Sequence, residues 1–112
     1  MFIGIFSNLT RDKNGEIAKK AAAFLREKGV DFAFCDDMKN IGCDSAIYLP
    51  KDELAKKADI MLVLGGDGTI LGIVHECAKH DCKILALNLG YVGFLTELKE
   101  SNLLEGLESV IK

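Results

Sequence analysis

The sequence predicts a three-layer α/β fold, a parallel sheet with helices on both faces. Two observations carry that expectation. Short apolar runs without strict polar alternation recur along the chain, as strands covered on both faces require. Segments with helical apolar spacing separate those runs, and such crossovers join parallel strands.

Phe2–Ser7 (FIGIFS) is the first run and ends at Asn8. From Asn14 to Lys28, the residues Ile17, Ala21, Phe24 and Leu25 recur at i, i+4, i+7 and i+8, and Gly29 lies just beyond. That is the pattern of an amphipathic helix with a glycine stop. Asp31–Cys35 then reads as a second strand and completes a βαβ unit. Residues 36–50 are rich in Asp, Asn, Gly and Ser, so they read as a loop in which Ala46–Leu49 is the one possible extra strand. Pro50 introduces a short helix over Lys51–Lys57. Ile60–Leu64 (IMLVL) is the most continuous apolar run and is expected as a central strand. Beyond it Ile70, Ile73, Val74, Cys77 and Ala78 repeat at helical spacing, with His75, Glu76, Lys79 and His80 mostly on the other side. Lys83–Asn88 (KILALN) reads as the fourth strand. A glycine-broken turn to Thr96 follows, and Ser101–Ile111 is expected as a last helix with Leu103, Leu104, Leu107 and Ile111 on one face. This is a Rossmann-like order, in which ligands sit beyond the carboxyl ends of the strands.

At 112 residues the chain is expected to form a single domain with one core. A net charge of -3, with lysines and arginines scattered, offers no footprint for nucleic acid. No apolar stretch reaches signal-peptide or membrane length, so the expected setting is cytoplasmic. Cys35, Cys43, Cys77 and Cys82 include no C-x-x-C pair, and reduced thiols are expected. His75, Cys77, His80 and Cys82 are clustered in sequence like metal ligands. On one continuous helix, however, Cys77 and His80 would share a face opposite His75 and Cys82, so no metal site is expected there.

The chemistry concentrates in Gly65-Gly66-Asp67-Gly68-Thr69, between the most apolar strand and a helix. At ordinary residue frequencies this pentapeptide arises in on the order of one chain in ten thousand of this length, so its placement calls for a reason. Glycines there let the backbone turn sharply and approach a ligand, and the helix N-terminus supplies free N–H groups and a positive dipole end for phosphate. A turn in which Asp67 or Thr69 simply caps the helix is the plainer alternative. A carboxylate amid phosphate-binding groups nevertheless needs a role: holding Mg²⁺ on the phosphates, or taking the proton of an attacking hydroxyl. The pentapeptide lacks the Gly-Lys-Ser/Thr ending of a Walker loop. Leu71 also occupies the place where a dinucleotide fingerprint from Gly66 needs glycine.

The cluster resembles the signature shared by NAD kinases, diacylglycerol and sphingosine-type lipid kinases and, with Ser for Thr, phosphofructokinases. A second segment, Asn88-Leu89-Gly90-Tyr91-Val92-Gly93-Phe94-Leu95-Thr96-Glu97, resembles that of NAD kinases, whereas lipid kinases carry a different glycine turn there. The resemblance spans the whole chain and implies a phosphofructokinase-like α/β domain. It also implies phosphoryl transfer from ATP, or polyphosphate, to the 2′-hydroxyl of NAD, giving NADP, with Mg²⁺ or another divalent cation. By the same resemblance Asp67 is the proton acceptor and Gly68 lies beside it in the NAD contact. Gly65, Gly66 and Thr69 shape the phosphate turn, and Asn88, Gly90, Tyr91, Gly93 and Phe94 line the nucleotide pocket. Phe94 fits core packing equally well.

Two departures stand out. Many such kinases carry a basic residue five positions after the motif aspartate, and here that position is Gly72. They also continue into a β-rich C-terminal domain with an Asn-Glu motif that holds NAD, and their full-length forms are homo-oligomers. This chain is therefore expected to supply the N-terminal half of a site and to show little activity alone. A lipid kinase domain and a non-catalytic nucleotide-binding module are the alternatives.

Overall fold

The computed structural model describes residues 1–9, 12, 15–38, 47–65 and 67–88, and of Asp67, Leu87 and Asn88 the backbone. In chain order the elements are β1 (Phe2–Ser7), α1 (Glu16–Glu27), β2 (Asp31–Cys35), a 3-10 turn (Asp36–Met38), β3 (Tyr48–Leu49), α2 (Lys51–Lys57), β4 (Ile60–Gly65), α3 (Asp67–Lys79) and β5 (Lys83–Asn88). All pairings are parallel, and the five strands lie in the order β3-β2-β1-β4-β5. The expected helix over Ser101–Ile111 lies outside the described residues.

β1 and β4 form the middle of the sheet, and each is buried along all but its first residue. Because successive side chains of a strand point to opposite faces, β1 shows which helix covers which face. Gly4 faces α2, and Phe6 faces α3: a Cβ on Gly4 would come 2.8 Å from Met61 Sδ and 3.0 Å from Leu54 Cγ, and one on Gly72 would sit 3.8 Å from the Phe6 ring. Ser7, of opposite parity to Phe6, is linked to α1 through Asp12. Thus α1 covers one face, and α2 and α3 share the other. The core between these layers includes Ile3, Ile5, Leu25, Phe34, Leu54 and Leu62, all fully buried.

The helix ends follow local chemistry. α1 stops in a Schellman motif: Val30 N–H donates to Leu25 O at 2.9 Å and Gly29 N–H to Arg26 O at 3.2 Å, with Gly29 at φ 72°. α3 ends the same way, through Cys82 N–H to Cys77 O at 2.8 Å and Asp81 N–H to Ala78 O at 3.3 Å. There the left-handed position is filled by Asp81, at φ 58°. At the amino edge of the sheet Asp59 links β1 to β4, accepting from Phe2 N–H through Oδ2 and donating its own N–H to Phe2 O, both at 2.8 Å.

Three expectations are corrected. The loop reading of residues 36–50 gives way at Tyr48–Leu49, which pair with Phe34 and Cys35 as an edge strand, Tyr48 stacking on Phe34 at 5.7 Å between ring centroids. KILALN is consequently the fifth strand. The apolar stripe of α3 is narrower than its spacing suggests. Ile73 and Cys77 are buried, but Val74 and Ala78 are exposed, and Leu71 is 72% exposed. Cys82 does not lie opposite Cys77, because α3 ends at Lys79 and the Schellman turn folds the chain back, Cys82 N–H donating to Cys77 O at 2.8 Å. Among the described residues no helix is long and apolar enough to cross a membrane.

Candidate functional site

The strand order changes direction between β1 and β4: the chain leaves β1 toward β2 on one side and leaves β4 toward β5 on the other. Outside the carboxyl ends of two such strands lies the crevice where parallel sheets bind ligands. Directly after these two strands α1 follows β1 and α3 follows β4, so the N-termini of both helices open there.

The α1 terminus is already filled. Asp12, 1% exposed, accepts from Ile17 N–H at 2.8 Å through Oδ1 and from Ala18 N–H at 3.1 Å through Oδ2. The Ser7 hydroxyl donates to the same Oδ2 at 2.8 Å. Asp12 is in turn held by its own N–H, which donates to Asn8 O at 2.9 Å. The chain's own carboxylate thus takes the place an anion would occupy. Asp12 escaped the sequence reading because it caps from four residues ahead of Glu16, rather than from the position directly before the helix. Thr10, Arg11 and Lys13 lie outside the described residues.

The α3 terminus is built differently. Gly65 ends β4, and Asp67, Gly68 and Thr69 form the first turn of α3. A Cβ on Gly65 would overlap the Thr69 hydroxyl and stand 2.8 Å from Thr69 Cβ and 3.0 Å from Asn8 Cβ. Glycine at 65 is therefore required by packing, since Thr69, only 9% exposed, folds back over it. The ends of β1 and β4 are tied alongside by Asn8 N–H donating to Leu64 O at 2.8 Å. Gly68 is the opposite case. Among the described residues a Cβ there would meet nothing within 4 Å, and the residue is exposed. No packing demand from the described residues keeps Gly68 small, although glycine costs a helix about 1 kcal/mol against alanine.

The second motif begins at the same edge, with Asn88 paired in register with Gly65. Two segments separated in sequence thus start from adjacent positions at the carboxyl end of the sheet. Gly66 lies outside the described residues, as do Gly90, Tyr91, Gly93 and Phe94. Residues 3–112 match the family model described as the ATP-NAD kinase N-terminal domain. The chain belongs to that family.

It is 34% identical over 111 residues to an NAD kinase of Caldanaerobacter subterraneus, covering 98% of this chain and 39% of that protein. With an NAD kinase of Chlorobium luteolum it shares 34% identity over 113 residues, covering 100% and 38%. The chain thus spans under two fifths of the length of these relatives. A crystal structure of yeast NADH kinase complexed with NADH superposes with a TM-score of 0.61 at 18% identity, over 99% of this chain and 38% of that one, and agrees in fold.

Of the residues that suggested a metal cluster, Cys77 and Cys82 are buried, His75 is exposed, and His80 Nε2 pairs with Asp52 Oδ1 at 2.9 Å, joining the end of α3 to α2. That bond is the main reason the Asp52 carboxyl lies below its usual range. Burial pushes the Cys35 thiol up to about 11 and the Cys77 thiol up to about 12, so neither is a nucleophile near neutrality. Among the described residues the grouping with metal-ligand spacing is Cys35, Asp36 and Asp37, at the end of β2.

Proposed function

We propose that this domain supplies the phosphate turn and the base of an NAD kinase, which transfers a phosphoryl group from ATP or polyphosphate to the 2′-hydroxyl of NAD and yields NADP. The observation that carries the reading is the contrast between two glycines of one turn. Packing accounts for Gly65, but Gly68 keeps a bare backbone at an exposed helix N-terminus, where a phosphate or ribose is able to approach the N–H groups directly. The neighbouring helix N-terminus is closed by Asp12, which leaves α3 as the anion-receiving end of the crevice.

In this mechanism the turn at residues 65–69 holds the donor's phosphates, and Asp67 accepts the proton of the ribose 2′-hydroxyl. The 2′-oxygen forms the new bond to the γ-phosphorus as the bond to the ADP oxygen breaks. Pairing β5 with β4 places the start of the Asn88 segment beside the turn, and Asn88, Gly90, Tyr91, Gly93 and Phe94 form the NAD side of the pocket. The divalent cation accompanies the donor as Mg-ATP. The rest of the NAD platform is assigned to a C-terminal β-rich domain of a cytoplasmic, homo-oligomeric enzyme. The family match runs through both motifs and favours NAD over a lipid as acceptor.

The test replaces Asp67 by Asn in a complete kinase carrying this domain. Turnover is expected to fall by roughly 10²- to 10⁴-fold with the fold retained. Wild-type turnover would remove Asp67 from the mechanism. Tight NAD or ATP binding by a complete protein that shows no transfer would favour the non-catalytic module.

A further inference from the structure

A polyphosphate at the start of α3 brings several negative charges, and Asp67 adds another. Transfer of a phosphoryl group requires that charge to be neutralised. α3 provides N–H groups but no cation near its start, because its first lysine or arginine is Lys79, in the last turn.

Lys51 opens α2 at the same carboxyl edge of the sheet, directly after β3 and Pro50. Its ammonium lies 5.2 Å from the centroid of the Phe6 ring. Phe6 is the penultimate residue of β1, and the far edge of its ring faces α3 at Gly72, where a Cβ would sit 3.8 Å away. Gly72 is exposed and stands one helical turn beyond Gly68, on the same face of α3. Neither glycine puts a side chain between the Phe6 ring and the first turns of α3. Lys19 and Lys20, which also lie toward the carboxyl edge, belong to α1 on the other face of the sheet.

We infer that Lys51 is the cation that meets the donor's phosphates at the start of α3, its ammonium held over the Phe6 ring between α2 and α3. The inference rests on the phosphoryl-transfer reading and deepens it. Lys51 is a binding and charge-neutralising residue for the donor, supplied by the helix beside the one that carries the turn. A lysine that served only as a cation–π partner for Phe6 would leave donor affinity unchanged when its charge was removed.

The experiment is titration calorimetry on the 112-residue chain, with inorganic tripolyphosphate and with Mg-ATP, for the wild type, Lys51→Met and Lys51→Arg. Lys51→Met keeps an apolar chain over Phe6 and removes the charge; should it fail to fold, Lys51→Gln is read in its place. The expected result is about a tenfold or greater loss of affinity in Lys51→Met for both probes, a weaker dependence on salt, and near-complete rescue by Lys51→Arg. Equal affinity of Lys51→Met and wild type overturns the role of Lys51 and leaves the phosphate turn standing. Failure of the wild type to bind either probe overturns both.

Discussion

Gly65→Ala and Gly68→Ala change neighbouring glycines of one turn by the same methyl group, and the structure predicts opposite outcomes. At Gly65 the new Cβ would overlap the Thr69 hydroxyl and crowd the Thr69 and Asn8 Cβ atoms at 2.8 and 3.0 Å. None of these is the free end of a flexible side chain, so the end of β4 and the first turn of α3 must separate. Overpacking of this kind costs about 1–3 kcal/mol, and the φ of 158° at Gly65 adds to it. At Gly68 the methyl enters open space. There alanine gains helix propensity, worth up to about 1 kcal/mol. Urea unfolding of the 112-residue chain followed by circular dichroism should therefore show a lower midpoint for Gly65→Ala and an unchanged or higher one for Gly68→Ala. Calorimetry with Mg-ATP should show that Gly68→Ala, the better-folded variant, binds more weakly. Full affinity in a stabilised Gly68→Ala would refute the argument that a ligand requires its bare backbone. An unchanged midpoint for Gly65→Ala would refute the packing of Thr69 over Gly65.

Three further outcomes follow from the described geometry. Asp12→Ala removes a buried acceptor from two helix N–H groups and from the Ser7 hydroxyl, and should cost about 2–4 kcal/mol in urea unfolding; a loss under about 0.5 kcal/mol would show that α1 needs no such cap. The buried thiols bind their protons more tightly folded than unfolded, with Cys35 pushed up to about 11 and Cys77 to about 12. Their contribution is complete below the unfolded thiol value near 9 and is lost as pH rises toward 11 to 12. The urea midpoint should accordingly fall between pH 8.5 and pH 10.5, and the fall should shrink in Cys35→Ala measured against its own midpoint at pH 8.5. Asp81→Gly replaces a side chain held at φ 58° by the residue that Schellman motifs favour, and should raise stability by up to about 1 kcal/mol; a decrease would mean that the Asp81 side chain makes a contact of its own.

The parts of this fold that were legible from sequence are those whose signal is local. β1, β2 and α2 have the bounds their residues suggest. β4 and α1 differ from theirs only at their ends, because FIGIFS, DFAFC and IMLVLG declare burial on both faces and Pro50 and Gly29 punctuate the helices. What escaped depends on distant partners. Tyr48–Leu49 is too short to carry a periodic pattern and is a strand only because Phe34 and Cys35 lie beside it. Val74 and Ala78 have the right spacing for burial, but α3 lies where the described layers leave that side open. At the candidate site the sequence marked the glycine turn after β4 and the segment that begins at Asn88, whose starts are paired in the sheet. It did not reveal that Asp12 closes the competing helix end, because that cap stands four residues ahead of α1, nor that Lys51 reaches Phe6, which rests on how the strands are ordered.

The central claim is that phosphate is received at the start of α3 and not at the start of α1. Backbone amide resonances of the isotopically labelled chain, followed while Mg-ATP is added, test it most directly. Saturable shifts are expected at Gly68 and Thr69, extending to Gly65, with Ile17 and Ala18 unmoved behind Asp12. Shifts centred on Ile17 and Ala18, or saturation with Gly68 and Thr69 unmoved, would contradict it.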